Sequence, residues 1–211
     1  MAERIGVKAL VALLAGRAQA GRIIVAIAGA PGSGKSTLAE AVEAALNAEA
    51  PGCAAVLPMD GFHYDDLLLV PMGKRPRKGA PDTFDVGGLY HMLQRLRAND
   101  EAAVAVPVFD RSIEIARAGA RLIPQQVRVL VCEGNYLLLR QDPWAGLRPM
   151  FDLTVLIDTP EPVLRQRLTG RWQGFGLSPD EIAWKLDGND LPNGRMVIAQ
   201  GGDPDFLLDE D

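Results

Sequence analysis

Three features of the 211-residue chain predict an α/β protein built on a parallel sheet with helices on both faces. Short apolar runs alternate with stretches of helical periodicity. Two of those runs close on a carboxylate. The first leads into a glycine-rich loop that opens a helix. A run that is apolar throughout, rather than at every second residue, marks a strand buried on both faces, as strands of covered parallel sheets are. Ligands of such sheets sit at the carboxyl ends of the strands.

A first helix is expected from roughly Arg4 to Ala20, with Val7, Leu10, Val11 and Leu14 at helical spacing. Ile23 to Ala28 reads as the first buried strand. After Gly34 the chain turns helical, with Leu38, Val42 and Leu46 on one face. Ala54 to Met59 reads as the second strand, closed by Asp60. Gly61 to Asp82 is a connection rich in Pro, Gly, Lys and Arg, longer than compact domains keep without a use. Asp85 is placed to cap the next helix, with Phe84 and Leu89 as a hydrophobic staple and Leu93 and Leu96 continuing its face. Val127 to Cys132, ending at Glu133, is the third strand, and Leu153 to Ile157 the fourth. Thr159-Pro160-Glu161 starts a helix, with Pro in its first turn and an acid at the positive end of its dipole. Ser178 to Glu181 has the spacing of a capping box. Met196 to Ala199 reads as a last short strand. With no internal repeat, residues 1–211 are expected to form one domain.

Composition narrows the function classes. Apolar residues make up 48% and charged residues 23%, which suits a chain able to bury a core. A net charge of −5 argues against sequence-independent binding to nucleic acid or an anionic membrane. Inside that acidic background the run Lys74-Arg75-Arg77-Lys78 is either a functional patch or a solvated loop. Cys53 and Cys132 lie in apolar runs without the spacing of a zinc site or disulfide framework, so two buried thiols are expected. Arg17 to Gly21 make a poor leader cleavage site, and no apolar run approaches the roughly 18 residues of a membrane span. The expected location is the cytoplasm, with no membrane or nucleic-acid partner.

The chemistry concentrates in Gly29-Ala30-Pro31-Gly32-Ser33-Gly34-Lys35-Ser36, which satisfies G-x-x-x-x-G-K-[ST], followed by Thr37. Glycines let successive backbone N–H groups curl inward onto phosphate oxygens, and the following helix adds the positive end of its dipole. Lys35 supplies a charge for the β- and γ-phosphates, and the Ser36 hydroxyl can ligate Mg²⁺. The pattern has its required context, a buried strand before and a helix after. Asp60 and Glu133 close two strands too apolar for casual surface acids. One holds Mg²⁺ and one orients or deprotonates an acceptor, or, for Asp60, the carboxylate merely caps a neighbouring helix.

Met59-Asp60-Gly61-Phe62-His63-Tyr64 and Lys78-Gly79-Ala80-Pro81-Asp82-Thr83-Phe84-Asp85 resemble the phosphoribulokinase, uridine kinase and bacterial pantothenate kinase superfamily. Within it the resemblance is strongest to small bacterial fructose transport system kinases. It runs through Val106-Pro107-Val108-Phe109-Asp110-Arg111 and Cys132-Glu133-Gly134-Asn135-Tyr136 to Asn189-Asp190-Leu191-Pro192-Asn193. The resemblance implies a P-loop NTPase three-layer fold with a five-stranded parallel sheet in the order 2-3-1-4-5. Residues 1–20 form an N-terminal helix, 61–84 a substrate-side loop and 165–178 a lid.

It also implies roles. Asp60 matches the catalytic base and lies near the metal. Glu133 helps hold Mg²⁺ where Asp is more usual. His63 matches a substrate contact in some relatives, or packs under the loop. Tyr64 and Tyr136 fall in the matching segments on the substrate side. Arg167 and Arg171, four apart on one helical face, match lid arginines that close over phosphates, or are solvated. Asp110 and Arg111 bind the acceptor or pair with each other. Gly79 stands where uridine kinases carry a ribose-gripping Asp, which disfavours a nucleoside, and the chain is too short for a pantothenate pocket.

The expected activity is transfer of the γ-phosphate of Mg·ATP to a hydroxyl of a small metabolite, a sugar such as fructose. A nucleotide-binding regulatory ATPase is the competing class, and a homodimer is compatible with either. That alternative leaves Asp60, His63 and the long loop without a task.

Overall fold

A computed structural model describes residues 2–209. Its centre is a six-stranded parallel sheet: β1 (Glu3–Ile5), β2 (Ile23–Gly29), β3 (Ala54–Pro58), β6 (Val129–Gly134), β7 (Leu153–Ile157) and β8 (Phe206–Leu208), in the spatial order β1-β8-β7-β2-β6-β3. Residues along β2 alternate between two cores. Ile24, Ala26 and Ala28 face α4 (Val86–Ala98) and α7 (Leu191–Gln200); Val25 and Ile27 face α1 (Val7–Arg17) and α2 (Lys35–Glu49). Helices on both faces account for strands that carry no polar side. Leu38, Val42 and Leu46 of α2 fill one core, and Leu89, Leu93 and Leu96 of α4 the other. Asp85 caps α4 by accepting from Gly88 N–H, and Ser178 makes the full capping box of α6 (Pro179–Lys185).

The sheet has six strands, not the five expected, and both ends of the chain account for the difference. Glu3–Ile5 forms β1, not the start of a helix, because it pairs in register with Phe206–Leu208; α1 begins only at Val7. Met196 to Ala199 is helical within α7, where Val197 enters the core and Ile198 is exposed, a one-face pattern that a strand buried on both sides would not show. The strand expected there is supplied instead by β8. For Glu3–Ile5, pairing with the open edge of a neighbouring strand outweighs a weak local helix preference.

The segment after β3 is not a bare loop. It holds a 3₁₀ turn (Met59–Phe62), α3 (Asp66–Leu69) and two further short 3₁₀ turns. A separate antiparallel hairpin, β4 (Ala103–Asp110) with β5 (Ile115–Pro124), projects beside it. On the far side, α5 (Glu161–Gly174) leads through α6 and one π-helical turn (Leu186–Asp190) into α7. Of the two thiols only Cys132 is buried; Cys53 is half-buried in the turn before β3. Among the described residues no helix is long and apolar enough to cross a membrane.

Candidate active site

The site begins where β2 gives way to α2. Gly34 caps α2 at φ +93°, a left-handed backbone that costs a glycine little. The first N–H groups of a helix have no intrahelical partner, so here they are left facing the loop. Ser33 Oγ is buried without a hydrogen-bond partner. The half-buried Lys35 ammonium makes no hydrogen bond among the described residues. Burial is the largest influence on it and lowers its pKa, against the attraction of Glu133 and Asp60. A buried unpartnered hydroxyl and one cation at a helix N-terminus have the chemistry of a polyphosphate cradle.

Behind the loop, Ser36 Oγ donates to Glu133 Oε2 at 3.2 Å. Glu133 reaches that place because β6 lies between β2 and β3, level with Ile27 and Pro58. Burial pushes its carboxyl above the usual range, Lys35 pulls it down, and Asp60 pushes it up again. Among the described residues no three His, Cys, Asp or Glu side chains converge on a metal position. An ion held by Ser36 and Glu133 would draw its other ligands from phosphate and water, as Mg²⁺ does.

Asp60 stands one strand over, in the turn after β3. Burial favours its neutral form, yet His63, Arg111 and Lys35 outweigh that and hold the carboxyl below the usual range. The His63 imidazole is itself lowered, chiefly by burial, so near neutral pH the depression of Asp60 rests on Arg111 and Lys35. Arg111 Nη2 donates to Asp60 Oδ2 at 2.6 Å, and His63 Nδ1 lies 2.8 Å from the Asp60 carbonyl. Asp60, His63, Lys35, Ser36, Arg111 and Arg171 line one cavity of about 140 Å³. Phe84 and Phe109 flank His63, with ring centroids 4.0 and 4.6 Å away.

α5 brings both arginines to the site. Arg167 Nη1 donates to the Ser33 carbonyl at 3.2 Å and, with Thr37, borders a cleft of about 660 Å³ outside the loop. Arg171 faces both that cleft and the inner cavity. Burial, then the nearby Arg111, holds its guanidinium below the ordinary range.

Three candidate residues stand apart. Tyr136 is fully buried, and its hydroxyl donates to the Gly79 carbonyl at 2.6 Å. Gly79, at φ +99°, uses its N–H on Thr83 Oγ1, so the pair braces the loop. Asp110 does not pair with Arg111; it accepts from Ser112 and from Arg117 Nε at 2.8 Å. Tyr64 lies outside the cavity, its N–H donating to the Thr83 carbonyl.

Sequence reasoning left other lining residues without a role. Three of the four basic residues are held by acids, with Arg77 left exposed. Lys78 Nζ donates to Asp66 Oδ1 at 2.7 Å and to the Glu114 carbonyl at 2.6 Å; Arg75 bonds Asp66 and Glu114. These hydrogen bonds tie the loop to the turn of the β4–β5 hairpin. Asp190 accepts from Trp172 Nε1 at 2.8 Å, and Asn189 donates to the Lys78 carbonyl, so the π-helical turn joins α5 to the loop. The sequence signals were the basic run itself and the segment Asn189 to Asn193.

Fold and site together define a phosphotransferase of the P-loop class. No protein-family model matches the chain. A Schizosaccharomyces pombe protein described as a candidate uridine kinase is 31% identical over 196 residues, covering 90% of this chain and 83% of that protein. A Myxococcus xanthus pantothenate kinase is 30% identical over 169 residues, covering 76% of this chain and 53% of that protein. The crystal structure of a candidate fructose transport system kinase from Silicibacter sp. TM1040 superposes with a TM-score of 0.83 at 41% identity, covering 92% of this chain and 98% of that one. The chain belongs to the P-loop kinase superfamily of uridine and pantothenate kinases, and it is a small-molecule kinase.

Proposed function

We propose that the chain transfers the γ-phosphate of ATP to a hydroxyl of a small polyol or sugar, with Asp60 as base. One observation carries this reading: Asp60 faces the cavity that Lys35 and Arg171 enter, while Glu133 is turned away onto Ser36. The two carboxylates are thereby separated in task.

The acceptor hydroxyl sits against Asp60 and attacks the γ-phosphorus. The new O–P bond forms as the bond to the β-phosphate oxygen breaks, the proton passes to Asp60, and ADP leaves. Lys35 and Arg171 offset charge that builds on the transferred group. Ser33 and the backbone amides hold the phosphates still, and positioning of this kind removes much of the barrier. Ser36 and Glu133 would hold Mg²⁺, which would supply charge neutralisation for the phosphates. His63, neutral and packed between two phenyl rings, fixes the Asp60 turn and offers one polar edge to the acceptor. Phe84 and Phe109 line the cavity beside His63, an apolar wall that suits the C–H groups of a polyol. Gly79 brings only backbone to the cavity, leaving no carboxylate at that position for a ribose.

The test is ATP consumption across a metabolite panel, with Asp60→Asn beside wild type. A panel acceptor should stimulate the wild type. Asp60→Asn should lower kcat by about a hundred- to ten-thousandfold. Full transfer by Asp60→Asn removes the base assignment.

A further inference from the structure

The transfer cavity shares Phe109, Arg111, Glu114, Arg171 and Trp172 with a second cleft of about 450 Å³ beside it, lined from the β4–β5 hairpin and the α5–α6 segment. Phe109, Trp172 and Leu177 give that cleft apolar walls, with Phe175 at its mouth 56% exposed. Its charged groups are three cations, Arg111, Arg171 and Lys185, and one acid, Glu114. Glu114 already carries Arg75 at 2.6 Å. Lys185 rests over the Trp172 ring at 4.4 Å, and among the described residues neither it nor Arg171 has a carboxylate at ion-pair distance. Asp190, the next acid, is engaged by Trp172.

Arg111 is the link between cleft and chemistry. Its guanidinium holds Asp60 at 2.6 Å, where it competes with any proton for that carboxylate. It also lies 5.8 Å from the Phe109 ring centroid, on the wall of the side cleft. ATP phosphates account for Lys35 and Arg171. They leave Arg111, which lines both cavities, and Lys185, which lines the side cleft, as two cations with the apolar Phe109 and Trp172 in the same cleft.

Building on phosphoryl transfer with Asp60 as base, we propose that the acceptor is an anionic polyol. It is a hydroxylated carboxylate or phosphate monoester, whose charged group enters the side cleft between Arg111 and Lys185. Its anion draws Arg111 from Asp60 as its hydroxyl arrives, so the base is released only when such an acceptor is seated. A neutral polyol offers Arg111 nothing in exchange, and Asp60 stays tied.

The test uses matched pairs: glycerol with glycerate, glucose with gluconate, fructose with fructose 6-phosphate. ATP consumption should respond to the anionic member of a pair at least about tenfold more than to the neutral one. The responding pair tells carboxylate from phosphate. Lys185→Met, which keeps the stem on Trp172, should raise that acceptor's KM about ten- to a hundredfold, the range of one charge-assisted hydrogen bond. ATP KM and kcat should move less than about threefold, and Lys185→Arg should restore acceptor KM. Arg111→Met should narrow the preference for the anionic member. Neutral members served equally well, or an unchanged acceptor KM in Lys185→Met, overturn the anionic acceptor and leave the transfer reading intact. A wild type that binds Mg·ATP in a thermal-shift assay, yet responds to no hydroxyl compound of either kind, removes both.

Discussion

The phosphate side and the acceptor side of this cavity are built on opposite plans. The phosphate side comes from consecutive residues, Gly29 to Thr37, held between one strand and one helix. Its working groups are backbone amides, whose direction follows from φ and ψ. The acceptor side is assembled from pieces far apart in the chain: the turn at Asp60, Arg75 and Lys78, the hairpin at Arg111, and the π-helical turn at Asp190. Those pieces are held by side chains reaching across, Lys78 to Glu114 and Asp66, Asn189 to Lys78, Trp172 to Asp190. A local site is rigid by backbone geometry, whereas a composite one is as firm as its bridging hydrogen bonds.

After the loss of the base in Asp60→Asn, the largest expected effect falls on the local side. Lys35→Ala should abolish most of the thermal stabilisation given by Mg·ATP and lower transfer by about a hundred- to a thousandfold, the scale for losing one group that meets developing charge. The fold should persist, because the Lys35 ammonium holds no part of the core together. An unchanged thermal shift would detach the loop from nucleotide binding.

The composite side should fail differently. Asp66→Ala leaves Arg75 and the nearly buried Lys78, whose side chain is 7% exposed, without their shared partner. Acceptor KM should then rise about tenfold while ATP KM holds, since Asp66 steadies the loop against the hairpin and has no part in holding phosphate. Equal changes in both constants would show the two sides to be one rigid unit.

A smaller effect is expected at Tyr136→Phe. It removes a hydroxyl that donates to the Gly79 carbonyl at 2.6 Å, leaving a half-buried acceptor without that partner, a cost of about 1 kcal/mol in chemical denaturation. Acceptor KM should follow modestly, because the loop bend at Gly79 loses its brace. Unaltered stability would show that water takes the hydroxyl's place.

The smallest effect is a pH dependence. Burial holds the His63 imidazole below the usual histidine range, while Asp60 only partly opposes it. Between that lowered value and about 6.5 the unfolded chain takes up a proton that native His63 refuses. Stability therefore falls as pH drops through that window. In His63→Gln this component is gone, so the loss of melting temperature between about pH 7 and pH 5 should be smaller than in wild type. An equal loss would assign the acid sensitivity to other groups.

The two sides were also unequally legible. The loop, its flanking strand and helix, and the carboxylates at two strand ends could be read from neighbouring residues, since apolar runs, glycine spacing and caps are local patterns. Asp85 and Ser178 cap the helices their positions forecast. Met196 to Ala199 misled because four mainly apolar residues suit a strand or a buried helix equally, and only their neighbours distinguish the two. β1 was hidden for the same reason: Glu3–Ile5 becomes a strand only beside Phe206–Leu208, some 200 residues away. The hairpin and the pairing of Arg111 with Asp60 carried no local mark at all.

By itself, then, the sequence determined the class of sheet, the phosphate cradle and the two acids beside it, because each depends on residues within a few positions of one another. Which cation meets which carboxylate was decided only by the tertiary structure. Arg111 goes to Asp60, leaving Asp110 to Arg117 within the same hairpin, because that hairpin and the turn at Asp60, from distant parts of the chain, are packed side by side. Side-chain pairing depends on distance in space, and spacing along the chain does not encode it.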